Sequence, residues 1–168
     1  DEMGLGKTLQ ALGAAELLRK ELGLARVLVV CPTSLKYQWK SEIEKFTSQR
    51  ATVVEGNARE REACYRNDPF YTIMSYAVVG ADSEHIRKME VDLVILDEAQ
   101  RIKNWNTKTS REVKKISAPY AFVLTGTPIE NKLEELYSIV QFIDPFALGP
   151  LYAFLDKHQV CDEHGKVV

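Results

Sequence analysis

The sequence predicts an α/β fold: a mainly parallel sheet sandwiched between helices, three layers in all. Three observations carry this. Apolar runs short enough to be strands recur along the chain, segments with helical periodicity separate them, and a glycine-rich phosphate-loop pattern stands at the start. Strands alternating with helices imply right-handed crossover units and hence parallel pairing. With 168 residues, a net charge of −2 and 45% hydrophobic residues, the chain can bury a substantial core. It carries no global basic field, so any nucleic-acid contact must come from a local patch. No apolar run approaches the length of a membrane span, so no membrane partner is expected. The three cysteines, Cys31, Cys64 and Cys161, are scattered and suggest a reducing compartment.

The first element, "GKTLQALGAAELLRKEL", places Leu9, Leu12, Ala15 and Leu18 on one helical face. "ARVLVVCP" is unbroken apolar up to Pro32, as expected of a parallel strand covered on both sides. "SLKYQWKSEIEKF" is a helix with Leu35, Trp39, Ile43 and Phe46 on one face, and Ser34 stands at its N-cap position. The Trp39 spacing assigns that ring to the core. "ATVVEG", "FYTIMSY", "VDLVILDEA" and "YAFVLTGTP" are the remaining strands. "NAREREACYRN", "SEHIRKM", "NTKTSREVKKI" and "KLEELYSIVQFI" are the remaining helices, the last with Leu133, Leu136, Ile139, Val140 and Ile143 in a stripe. Residues 1–146 form one domain, and "DPFALGP" closes its regular pattern. Residues 147–168 read as a short helix and the start of a further segment. Within it His158, Cys161 and His164 recur at threefold spacing without a fourth ligand, which fits a tail better than a zinc site.

Three blocks carry chemistry. In "DEMGLGKT", Gly4, Leu5 and Gly6 allow successive backbone N–H groups to face phosphate oxygens. Lys7 would reach the β- and γ-phosphates of ATP, and the Thr8 hydroxyl would ligate Mg²⁺. The bland alternative is a glycine turn opening an ordinary helix. Asp1 and Glu2 depart from the usual pattern, which has a glycine at residue 1. In "LVILDEAQ" an apolar strand ends in Asp97 and Glu98, where open α/β sheets place their ligands. Asp97 would hold Mg²⁺, and Glu98 would orient and deprotonate the attacking water. Alone this pair is a solvated acidic turn; together with the phosphate loop it completes a hydrolase site. In "LTGTPIEN", Thr125 and Thr127 straddle a glycine at the same sheet edge. They are placed to bond the γ-phosphate or the acidic pair, or simply to end a strand.

"DEMGLGKT", "CPTSLKYQWKSEIEKF", "LVILDEAQRIKN" and "LTGTPIENKLEELYSIVQFIDP" together resemble motifs I, Ia, II and III of the Swi/Snf-like ATPases. These are double-stranded-DNA translocases of helicase superfamily two. The resemblance covers residues 1 to about 146 and implies a RecA-like lobe of a DNA-dependent ATP hydrolase. It implies that Gln100 couples hydrolysis to lobe movement. It also implies that Thr33, Ser34 and Leu35, and Ser75 with Tyr76, touch the DNA backbone, with Lys103, Lys36, Lys40 and Arg101 adding charge. Such contacts to phosphate are sequence-independent and salt-sensitive. "TGTP" and "IKN" separate the chain from RNA helicases of the DEAD-box type. "DEAQ" resembles the prokaryotic branch, so a nucleoid is expected, or a nucleus if the source is eukaryotic. The family's engine needs a C-terminal RecA-like lobe, which supplies arginine residues, and a strand leading into the phosphate loop. That strand is expected in the middle of the sheet, beside the one ending at Thr125. Without them the lobe alone is expected to hydrolyse ATP negligibly. The rival readings are an RNA helicase or other nucleotide hydrolase, and a lobe that only scaffolds.

Overall fold

A computed structural model of the chain describes residues 6–104, 106–126 and 133–158. The elements are α1 (Lys7–Leu22), β1 (Val27–Cys31), α2 (Lys36–Phe46), β2 (Ala51–Val53), α3 (Ala58–Arg66), β3 (Tyr71–Ser75), α4 (Tyr76–Val79), α5 (Ser83–Met89), β4 (Leu93–Leu96), α6 (Lys108–Val113), β5 (Tyr120–Val123), α7 (Leu133–Ile143) and α8 (Leu151–His158). The five strands form one sheet in the order β2-β3-β1-β4-β5, and every pairing is parallel. This is the α/β architecture expected.

The apolar runs follow from this order. β1 lies between β3 and β4, and all five of its residues are buried. Side chains alternate across a strand, so Val27, Val29 and Cys31 join Leu12, Ala15, Trp39 and Ile43 in the layer under α1 and α2. Leu28 and Val30 join Met74, Ile86, Ile102 and Val113 on the other side. Each such side chain contributes about 1.5–3 kcal/mol by leaving water. β5 is one edge strand, β2 the other: the residues of β5 are half-buried or exposed, and Tyr120 is 39% exposed. The gap expected inside the sheet is not seen, because β4 and β5 pair directly from Leu93 with Tyr120 to Leu96 with Val123.

Several local expectations need correction. α1 buries Ala11, Leu12 and Ala15, whereas Leu9 is 46% exposed. The first turn of α1 walls a cleft at the carboxyl end of the sheet, and Leu9 lines that cleft instead of the core. Ser34 does not cap α2. Residues Thr33–Leu35 form a 3-10 turn closed by the Leu35 N–H donating to the Pro32 carbonyl, and α2 starts at Lys36 without a side-chain cap. Phe46, expected in the core, is exposed. The stripe expected on α7 is rotated: Tyr137 and Ser138 are buried, and Ile143 is exposed. The weaker-patterned α3 is well capped, with Asn57 and Glu60 forming a reciprocal capping box. Cys161 and His164 lie outside the described residues, and the His158 ring packs against Phe154.

Candidate active site

The carboxyl ends of the strands open into a cleft of about 500 Å³, lined by Gly6, Lys7, Thr8, Trp39, Asp97 and Glu98 together with Leu9, Leu35, Gln38, Glu42 and Phe46. α1 points its N-terminus into it. Gly6 caps that helix in the left-handed conformation (φ 75°), which glycine takes without steric cost, and among the described residues no side chain caps the helix there. The first turn holds no acidic residue. Its free N–H groups and the helix dipole therefore make this end suited to an anion. Gly4 and Leu5 lie outside the described residues, as do Thr127, Asp1 and Glu2.

The acidic pair sits at the end of β4. The Asp97 N–H donates to the Val30 carbonyl (2.9 Å), continuing the β1–β4 ladder past its last paired residue. Its carboxylate is held at both oxygens: the Trp39 indole N–H donates to Oδ2 (2.8 Å) and the Glu98 backbone N–H to Oδ1 (2.9 Å). The Tyr76 hydroxyl donates to the Asp97 carbonyl at 2.8 Å. Burial pushes the Asp97 carboxyl above its ordinary range, opposed by the Trp39 and Glu98 donors and by Lys7. Glu98 then turns the chain sharply, with φ 51°. A non-glycine residue pays about 1–2 kcal/mol for that conformation, and such strain gathers at functional sites.

Beyond the turn a chain of side chains crosses the cleft. The Gln100 amide donates to the Glu98 carboxylate. The Thr125 hydroxyl donates to the Gln100 amide oxygen (3.1 Å), and the Lys7 ammonium donates to the Thr125 carbonyl (3.1 Å). β5 is tied to the same turn, since the Ala99 N–H donates to the Leu124 carbonyl (2.9 Å). The structure thus brings together Lys7, Thr8, Asp97, Glu98, Gln100 and Thr125. The oxygen-only pair of Thr8 and Asp97 suits Mg²⁺, which is typically bound through one or two protein oxygens plus substrate phosphates. Among the described residues no group of three His, Cys, Asp or Glu side chains is arranged to hold a metal.

The residues expected to meet DNA divide. Thr33 and Ser34 are exposed on the 3-10 turn, while Leu35 is half-buried against the core. Ser75 and Tyr76 are buried, and the Tyr76 hydroxyl is committed to Asp97, so Tyr76 braces the acidic pair from below rather than presenting a surface. Lys36 is buried and paired with Glu55 at 2.7 Å, which removes it from the surface charge expected. Lys40 lies 3.7 Å from Glu44. Lys103 is half-exposed and lies 3.1 Å from Glu135. The two functional contacts missed from sequence are those of Trp39 and Tyr76. A signal existed: a buried indole or phenol needs a partner for its polar hydrogen.

A parallel sheet, a helix N-terminus facing an acidic strand end, and a lysine on that helix bonded to the end of the next strand define the phosphate-binding-loop class of α/β nucleotide hydrolase lobes. The chain belongs to the SNF2-related domain family, whose model matches residues 1–166. It is 37% identical over 162 residues to an uncharacterized ATP-dependent helicase of Mycoplasma genitalium, covering 95% of this chain and 16% of that protein. It is 36% identical over 163 residues to the DNA repair and recombination protein RAD54B of Gallus gallus, covering 92% of this chain and 18% of that protein. The SWI2/SNF2 ATPase core of Sulfolobus solfataricus in complex with double-stranded DNA superposes with a TM-score of 0.84 at 38% identity, covering 94% of this chain and 33% of that one. The chain thus spans only a small part of the relatives it matches.

Proposed function

We propose that this chain is the ATP-binding lobe of a DNA-stimulated ATPase that translocates on duplex DNA. The observation that carries the proposal is the bonded path Lys7–Thr125–Gln100–Glu98, which closes around a cleft whose other wall is Asp97 and the N-terminus of α1. The solved archaeal relative, an ATPase core bound to double-stranded DNA, supports the choice of polymer.

Each residue has a task set by its place. The N–H groups at the start of α1 and the Lys7 ammonium receive the polyphosphate. Thr8 and Asp97 would hold Mg²⁺, whose charge would offset that building on the phosphate oxygens. Glu98 takes a proton from water as the water oxygen bonds to the γ-phosphorus. The bond from that phosphorus to the bridging oxygen breaks, leaving ADP and phosphate. Gln100 must release or re-aim the Glu98 carboxylate for this to happen, and Thr125 links that movement to the end of β5. A C-terminal lobe in the same full-length protein would complete the cleft with arginine residues. The exposed Thr33 and Ser34 would meet the phosphate backbone, without sequence preference.

Glu98→Gln in the full-length protein tests this. Expected is retained ATP binding with duplex-DNA-stimulated turnover reduced by at least about 100-fold. Undiminished turnover would remove Glu98 from its role as base, and stimulation by RNA in place of duplex DNA would overturn the choice of polymer.

A further inference from the structure

We infer that Trp39 is a positioning residue for the metal-side carboxylate, acting through its indole N–H on Asp97 as well as through its bulk in the core. The inference rests on the ATP reading above. Trp39 is 1% exposed and packs in the same cluster as Leu12, Cys31 and Ile43. An indole has a single polar hydrogen and no acceptor, and here that hydrogen goes to Asp97 Oδ2 at 2.8 Å. The other oxygen, Oδ1, accepts from the Glu98 backbone N–H at 2.9 Å. The carboxylate plane cannot rotate without breaking one of these bonds, yet each oxygen keeps a further lone pair for the cleft.

The anchor is stiff at both ends. Trp39 lies on α2, which packs against α1, β2 and β3, and Asp97 hangs from the end of β4 with its own N–H on Val30. α2 follows β1 after the 3-10 turn Thr33–Leu35, and β1 pairs with β4. The donor therefore reaches the acidic strand end from the neighbouring crossover unit. Outer partners of this kind fix the orientation of a ligating group, and their loss typically weakens metal binding by about 10–100-fold. A purely structural tryptophan would need its volume and some acceptor for its N–H, but loss of that N–H would leave Mg²⁺-dependent binding unchanged.

Trp39→Phe removes the donor and keeps most of the bulk. In the full-length protein, affinity for a fluorescent ATP analogue is measured with Mg²⁺ and with EDTA. Expected is a loss of about tenfold with Mg²⁺ and no change with EDTA. The control Ile43→Val thins the same core without touching the donor, and its affinities should stay at wild-type values. Equal Mg²⁺-dependent binding by Trp39→Phe and wild type would overturn the inference. A second measurement needs no Trp39 variant to fold and no nucleotide. In the full-length protein the Trp39 indole ¹⁵N–H resonance is assigned by its through-space contacts to Leu12 and Ile43 of the same core. Asp97→Asn should move the Trp39 indole proton upfield and speed its exchange with solvent, and an unmoved resonance would overturn the inference. Wild-type protein that binds no nucleotide would sink the ATP reading instead, and the indole measurement would still decide the contact.

Discussion

Asp97 and Glu98 are neighbours in sequence, yet they are held in opposite ways. Asp97 is fixed by two buried side chains, the Trp39 indole in the core and the Tyr76 hydroxyl beneath its carbonyl, and by the Glu98 backbone. Glu98 is held by the side-chain amide of Gln100, which in turn leans on Thr125 at the end of the half-buried edge strand β5. One carboxylate is anchored to the stiff half of the sheet and the other to its adjustable half. A metal ligand benefits from the first kind of support. A base that must engage and release water, and report having done so, benefits from the second.

The strongest way to break this comparison is at Trp39. Trp39→Ala would open a cavity in the stiff half, at a cost of about 3–5 kcal/mol in unfolding free energy, read from denaturant melts. A loss under about 1 kcal/mol would mean that the anchor is softer than its burial indicates. Gln100→Ala, on the adjustable side, should scarcely move the denaturation midpoint. It should lower DNA-stimulated turnover by about tenfold while leaving ATP affinity near its wild-type value. A fall in affinity instead would place Gln100 in binding rather than in coupling. Tyr76→Phe leaves the Asp97 carbonyl without its donor and should cost about 1–2 kcal/mol of stability. Its salt-dependent DNA affinity should be unchanged, because that side chain faces inward.

The stiff half was the legible half. Its strands are continuous apolar runs because β1, β3 and β4 are covered on both faces, so composition alone marks them. The acidic pair is legible because it ends such a run. What escaped depends on partners distant in sequence. Trp39 has the spacing of a core residue and is one, but its donor finds Asp97 only once β1 and β4 pair. Ser75 and Tyr76 resemble a backbone-contact loop; instead Ser75 ends β3, Tyr76 opens α4, and both are buried. The rotated face of α7 escaped for a related reason. Its buried side chain Ser138 is polar, because it donates to the Ile102 carbonyl at 2.7 Å, just after the acidic turn. Apolar periodicity cannot register a polar contact face.

That polar joint carries the smallest effect and the finest test of the adjustable half. Lys114 donates to the Ser138 hydroxyl (3.0 Å) and to the Gln141 amide oxygen (2.9 Å), while Ser110 also donates to the Ile102 carbonyl (3.2 Å). The ammonium is thus satisfied by neutral oxygens, and burial lowers its pKa below the ordinary lysine value of 10.5. Between the lowered folded value and 10.5 the unfolded chain binds more protons than the folded one, so stability rises with pH across that window. Below it both states are protonated and the folded state bears the desolvation cost; above it the cost is gone. Lys114→Met removes the titrating group. Wild type should therefore gain stability relative to Lys114→Met as pH climbs from neutral into the lysine range, by denaturation at matched ionic strength. A constant difference would show that α7 moves enough to keep Lys114 solvated, and that the joint behind Gln100 is looser than its hydrogen bonds suggest.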